Sequence, residues 1–161
     1  MAELPAVDAS PLIFLAHAGL LRFLQLAGVE VAVPRPVALE IERRGATDPT
    51  ARAIRETAWL RVMDPPAPPP QVLNWDLGPG ESSVLAWCAA HPGALAIVDD
   101  LAARRCAARL GIPVRGTLGL ILIAKQRGEI AAARPILEQM RKSGMYLSNR
   151  VLNQALERVG E

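Results

Sequence analysis

The segment that most constrains this chain is Ala94–Val98, an unbroken apolar run that ends on two consecutive aspartates, Asp99 and Asp100. Such a run reads as a strand buried on both faces, because a half-exposed strand would alternate apolar and polar residues. A strand of that kind needs helices above and below it, and the rest of the chain supplies them. Further short strands are expected at residues 5–7, Val29–Val33, Leu60–Met63 and Ile112–Val114. Helices are expected at Leu12–His17, Leu20–Leu26, Val37–Arg43, Pro49–Thr57, Glu81–Ala90, Leu101–Leu110, Thr117–Arg127, Pro135–Lys142 and Ser148–Arg158. Ser10 followed by Pro11 reads as an N-cap and a first helical position, and Gly19, Gly28, Gly45, Gly111 and Gly128 read as stops. Strands alternating with helices specify an α/β fold with a central parallel sheet covered on both faces. Pro65–Pro70 carries five prolines in six residues. It reads as a stiff surface connection, since proline suits neither a helix interior nor a central strand.

A length of 161 residues, 51% of them hydrophobic, suits one domain with a sizeable core and argues against disorder. No apolar stretch reaches the roughly 20 residues that a membrane span needs. The start of the chain lacks a basic segment followed by an apolar one. A cytoplasmic protein with no membrane partner is therefore expected. Cys88 and Cys106 form no Cys-x-x-Cys pattern and read as reduced core residues, not zinc ligands or a redox pair. The net charge is only +2. Most of the cations are arginines, which suit phosphate contacts, although codon composition alone accounts for the same bias.

The acidic residues are more informative. In open α/β sheets, ligand and metal groups gather at the carboxyl ends of the strands. Asp8 follows the first strand directly, and Asp99 and Asp100 follow the apolar one. A helix N-cap is the plainer role for one of that pair. Glu81 has Val84, Leu85 and Cys88 as its i+3, i+4 and i+7 neighbours, so it lies on a face that should pack inward. Carboxylates are rarely buried unless paired or metal-bound, though a favourable helix dipole would also explain an acid in the first turn. Glu40 sits at the edge of the apolar stripe of its own helix, while Glu42 faces solvent. With no His or Cys cluster to compete, an oxygen-only set selects Mg²⁺ or Mn²⁺. Carboxylates around such cations suit phosphodiester hydrolysis.

Several segments, in order, resemble one family. Val7-Asp8-Ala9-Ser10-Pro11-Leu12-Ile13 is similar to the opening of PIN-domain proteins. Val33-Pro34 through Glu40-Ile41, Ala58-Trp59-Leu60 and Leu77-Gly78-Pro79-Gly80-Glu81-Ser82 resemble segments of the PIN-like subfamily called domain of unknown function 3368. So do Ile97-Val98-Asp99-Asp100 through Ala103-Arg104-Arg105, Leu110-Gly111 and Val114 through Gly119. The likeness spans roughly the whole chain. It implies a three-layer α/β/α PIN-like fold, with a core of about residues 4–127 and extra C-terminal helices over about 128–161. It implies Mg²⁺- or Mn²⁺-dependent ribonuclease activity, with RNA as substrate. A role as the toxin of a toxin–antitoxin pair, a small antitoxin partner and a homodimer also follow from the likeness.

Carried over by position, the catalytic set is Asp8, Glu40, Glu81, Asp99 and Asp100, with Asp8, Glu81, Asp99 and Asp100 as metal ligands. Ser10 supports Asp8 or a nearby water. Two departures stand out: Val98 occupies a position that is often Thr or Ser in ribonuclease members of the wider family, and Glu81 one that is often Asp.

Arg104 and Arg105 lie just beyond the acidic pair and are candidates for RNA phosphate contacts, against a solvated helix face. Arg44 is placed to pair with Glu40 one turn earlier. Trp59, Trp75 and Trp87 could stack on bases, with core packing the reading for Trp87. Thr117 reads as a helix cap, with contact to the metal site as the lesser alternative. His17 and His91 have no partner in view.

The competing function is a PIN-like module that binds RNA or protein without cutting. Other α/β enzymes fit less well. A phosphoaspartate phosphatase would want a second Asp where Ser10 stands, and a dinucleotide site would want Gly where Ser83 stands.

Overall fold

The structure is a computed structural model that describes residues 3–161. Five strands form one all-parallel sheet: β1 (Ala6–Val7), β2 (Val31–Pro34), β3 (Leu60–Met63), β4 (Ala96–Ile97) and β5 (Val114–Arg115), in the order β3-β2-β1-β4-β5. Both residues of β1 and both of β4 are fully buried. Successive side chains of a strand point to opposite faces, so both faces of the sheet centre are covered. The α-helices of the described residues are α1 (Ala9–His17), α2 (Arg35–Glu42), α3 (Pro49–Glu56), α4 (Pro70–Leu73), α5 (Pro79–Ala90), α6 (Leu101–Arg109), α7 (Thr117–Gln126), α8 (Arg134–Lys142) and α9 (Asn149–Arg158); α2, α3, α5 and α6 pack on the strands, and α8 packs on α7. This is the expected three-layer α/β/α arrangement.

The strand order puts β1 at the centre, with β2 and β3 on one side and β4 and β5 on the other. The pairing of β1 with β4 aligns Ala6 with Ala96 and Val7 with Ile97. The next backbone bond, from the Asp8 N–H to the Ile97 carbonyl at 3.0 Å, holds the residue after β1 beside the end of β4. The first functional consequence of the topology is therefore that Asp8 and Asp99 leave adjacent strands at the same edge.

Several local expectations are revised. The segment Leu21–Leu26 is a 3₁₀ helix, not an α-helix. It lies between Gly19, at φ 71°, and Gly28, and 3₁₀ geometry covers more length per residue. The last strand is Val114–Arg115 instead of Ile112–Val114, because the Ile112 N–H is spent on the Ala107 carbonyl at 2.9 Å, closing α6. Pro70 opens the short helix α4, which proline permits at a first helical position. Helix α1 begins at Ala9, so Asp8 and not Ser10 occupies the N-cap position.

The core is one continuous cluster that includes Leu12, Phe23, Ile41, Leu85, Ile97 and Ile121. Trp87 is buried in it and donates from Nε1 to the Leu4 carbonyl at 3.0 Å. Both cysteines are buried, and burial pushes the Cys88 thiol up to about 12, so it stays a thiol. Among the described residues, no helix is long and apolar enough to cross a membrane.

Candidate functional site

At the carboxyl edge of the sheet, Asp8 has Glu40, Glu81 and Asp99 near enough for their charges to act on it. Asp8 is at their centre and is 5% exposed. It sits at the N-cap of α1, yet its side chain makes no capping bond, which leaves the carboxylate free to turn towards α5. Its pKa is pushed up to about 7, chiefly by burial. The neighbouring Ala9 N–H opposes this, and the negative charges of Glu81, Glu40 and Asp99 add to it. The carboxylates that crowd Asp8 are thus three of the four others singled out in the sequence.

Three glycines make this crowding sterically possible. A Cβ on Gly80 would lie 3.0 Å from Asp8 Oδ1 and 3.0 Å from Glu40 Oε2. Both oxygens face the same point, so they are no more than 6.0 Å apart. A Cβ on Gly78 would lie 2.6 Å from Glu81 Oε2, because Glu81, in the first turn of α5, folds back along the helix start. A Cβ on Gly116 would lie 2.9 Å from Asp99 Oδ1 and 2.6 Å from Arg104 Nη1. None of the three has a positive φ. Their requirement is therefore close approach to charged side chains, not backbone freedom. In the sequence, Gly78 and Gly80 stand out only as members of the family-like segment Leu77–Ser82. The available signal was a glycine inside the first turn of a helix, where its low propensity gives no benefit.

The aspartate pair divides its labour. Asp100 is exposed and is the N-cap of α6, accepting from the Ala103 N–H at 2.9 Å. Asp99 is half-buried and turns the other way. Its Oδ1 accepts from the Thr117 N–H and its Oδ2 from the Thr117 hydroxyl, each at 2.7 Å. Thr117 therefore does not cap α7 with its own side chain; Asp99 supplies the cap from across the sheet edge. Burial pushes Asp99 up, while the two Thr117 bonds and the charge of Arg104 pull it down.

The other candidates fall into place around this centre. Ser10 is exposed one residue beyond Ala9, and Arg104 and Arg105 are exposed on α6. Arg104 reaches back to the Gly116–Asp99 corner, as the Gly116 contact shows. Arg44 pairs with Asp48 through Nε at 3.1 Å and not with Glu40. His17 is also within 3.4 Å of Asp48. His91 stacks on Trp87 with ring centroids 3.9 Å apart and lies 2.8 Å from the Trp87 carbonyl through Nδ1. Both histidines thus have partners away from the carboxylates. Trp59 and Trp75 are half-buried against the core.

A divalent cation suits this donor set in chemistry. The donors are all oxygens, as hard cations prefer. The centre holds a buried carboxyl destabilised by its acidic neighbours, and a cation would relieve that repulsion. The geometry is open. Among the described residues, no three His, Cys, Asp or Glu side chains are close enough to make a ready coordination group. Glu40 is exposed and Glu81 half-buried, so both long side chains have room to rotate inward.

A comparison with curated proteins found no similar chain. Residues 5–161 match the sequence model of domain of unknown function 3368, described as a PIN domain. The match covers all but the first four residues, including α8 and α9, and the chain belongs to this PIN-domain family.

Proposed function

We propose that this chain is a divalent-metal-dependent endoribonuclease. PIN domains are generally nucleases, and the acidic edge supports a hydrolytic site of that class. The single observation that carries the reading is the gathering of Glu40, Glu81 and Asp99 around a buried Asp8 whose carboxyl is pushed up to about 7.

In this reading Asp8, Glu40, Glu81 and Asp99 hold Mg²⁺ or Mn²⁺. Asp100, exposed and engaged as a helix cap, is left outside the ligand set. The chemistry such an ion supplies when bound is polarisation of the phosphate and activation of a water for attack. Asp8 must give up its proton before it can serve as a ligand, so occupancy of the site rises with pH. Asp99 is already oriented by Thr117 and needs no rearrangement. Arg104, at the Gly116 corner, meets a backbone phosphate beside the carboxylates. Arg105 extends the contact along α6, positioning RNA without reading its sequence. Ser10, exposed next to the start of α1, holds a water near Asp8. A small antitoxin partner, a homodimer and a cytoplasmic setting belong to the same reading.

Purified protein titrated with Mn²⁺ and assayed on single-stranded RNA tests it. Saturable binding and metal-dependent cleavage, both lost in Asp8→Asn and in Glu81→Gln while folding survives, are expected. Full cleavage by both variants with ample metal would sink the assignment. Metal-independent RNA binding without cleavage would favour the binding module.

A further inference from the structure

The contact between Asp99 and Thr117 does more than cap a helix. Capping α7 requires one acceptor oxygen at the Thr117 N–H, which Asp99 Oδ1 supplies at 2.7 Å. The second bond, from the Thr117 hydroxyl to Asp99 Oδ2, also at 2.7 Å, adds nothing to the cap. It fixes the rotation of the carboxylate about its own axis. Thr117 is fully buried and β-branched, which restricts its χ1. Each carboxylate oxygen can accept about two hydrogen bonds, so each keeps acceptor capacity after Thr117 is satisfied. Oδ1 packs against Gly116, where a Cβ would lie 2.9 Å from it and 2.6 Å from Arg104 Nη1, so the carboxylate and the guanidinium share that corner.

We infer that Thr117 is a positioning residue for the metal site: its buried hydroxyl and backbone N–H together lock Asp99 in the orientation in which it binds a divalent cation. The inference rests on the metal-dependent reading above and assigns a residue to it that touches neither ion nor RNA. Groups that orient a ligand in this way commonly change metal affinity by about 10–100-fold when removed.

The test is Mn²⁺ affinity measured by calorimetry on the full chain, with circular dichroism to establish folding. Thr117→Val keeps the volume and the backbone N–H and removes only the hydroxyl. Thr117→Ser keeps the hydroxyl. Thr117→Val is expected to weaken Mn²⁺ binding by about tenfold or more, and Thr117→Ser to stay within about threefold of wild type. In an Asp99→Asn background, Thr117→Val should have no further effect on affinity, which a general loss of packing would not reproduce. Should Thr117→Val not fold, Thr117→Ala takes its place in the same cycle. Unchanged affinity in a folded Thr117→Val protein, or equal losses with and without Asp99, overturns the positioning role and leaves the metal reading intact. Failure of the wild type to bind Mn²⁺ overturns both.

Discussion

The Asp8 carboxylate fills the space in front of Gly80 that a side chain would need: a Cβ there would stand 3.0 Å from Asp8 Oδ1. Gly80→Ala is therefore a sharp probe of the site. Alanine improves helix propensity by up to about 1 kcal/mol, so thermal stability should hold or rise slightly. The added methyl moves Asp8 and Glu40 by a few tenths of an ångström. Cleavage should fall by about tenfold, given that a displacement near 1 Å can cost about 100-fold. A melting curve and a rate measured on the same preparation check both halves. A lost rate with a preserved melting temperature is the expected pair.

Asp8 also predicts an unusual pH dependence. Its carboxyl is raised in the folded state from 3.8 to about 7, so the folded state holds a proton that the unfolded state releases. Stability is full below about pH 4 and declines as pH rises towards 7. The penalty for keeping this charge at pH 8 without metal is about 4 kcal/mol as an upper figure. Asp8→Asn removes it. The variant should be more stable than the wild type at pH 8 in a chelator and close to it at pH 4. Mn²⁺ should raise the melting temperature of the wild type more at pH 8 than at pH 6, and leave the variant unmoved. Denaturation at the two pH values, with and without Mn²⁺, reads all of this directly.

Asp48 gives the opposite sign at a different place. It accepts from the Thr50 N–H at 2.8 Å and from Arg44 Nε at 3.1 Å. Burial alone would raise its carboxyl, but these bonds outweigh that and bring it down to about 2. Its contribution is present above about pH 4 and disappears as pH falls towards 2. Asp48→Ala should cost about 1–2 kcal/mol at pH 7, the usual range for losing an N-cap, and little at pH 2. Urea midpoints at both pH values give the comparison. Cleavage at neutral pH should be unaffected, since Asp48 is not among the groups whose charge acts on Asp8.

The two adjacent aspartates should behave differently. Asp100→Ser keeps a good N-cap for α6, and cleavage should remain within about threefold of wild type. Asp99→Asn removes a charge from the centre and should lower cleavage by about 100-fold, a common scale for a lost catalytic electrostatic group. Parallel rate measurements on the two variants decide between them; equal losses would place both carboxylates in the site.

Much of this site was readable from the chain, and the readable part follows from local rules. Asp8 and the Asp99–Asp100 pair announce themselves by standing directly after apolar strands, but which of the pair caps α6 and which turns to Thr117 shows only in the structure. Glu81 was marked by its neighbours Val84, Leu85 and Cys88, but all of Ser82–Cys88 is buried, so that face does not single it out. The α/β alternation was clear because the strand and helix patterns switch period. What stayed hidden depends on residues distant in sequence. Asp99 and Thr117 are 18 residues apart, and their bond exists only because β4 and β5 lie side by side. The preference of Arg44 for Asp48 over Glu40 likewise depends on how α3 starts. The close packing of Gly80 against Asp8 and Glu40 joins three separate segments, and no periodicity encodes it.

The stiff proline segment at residues 65–70 has one more consequence. Asp8 and Glu40 lie before it, and Glu81 and Asp99 lie after it. Each half of the chain carries only two of the four carboxylates, and the halves join through the β1–β4 pairing and the packing of α5 on α2. A chain severed in that segment would leave two fragments, neither carrying all four candidate carboxylates, so the proposed cleavage would require both to reassociate.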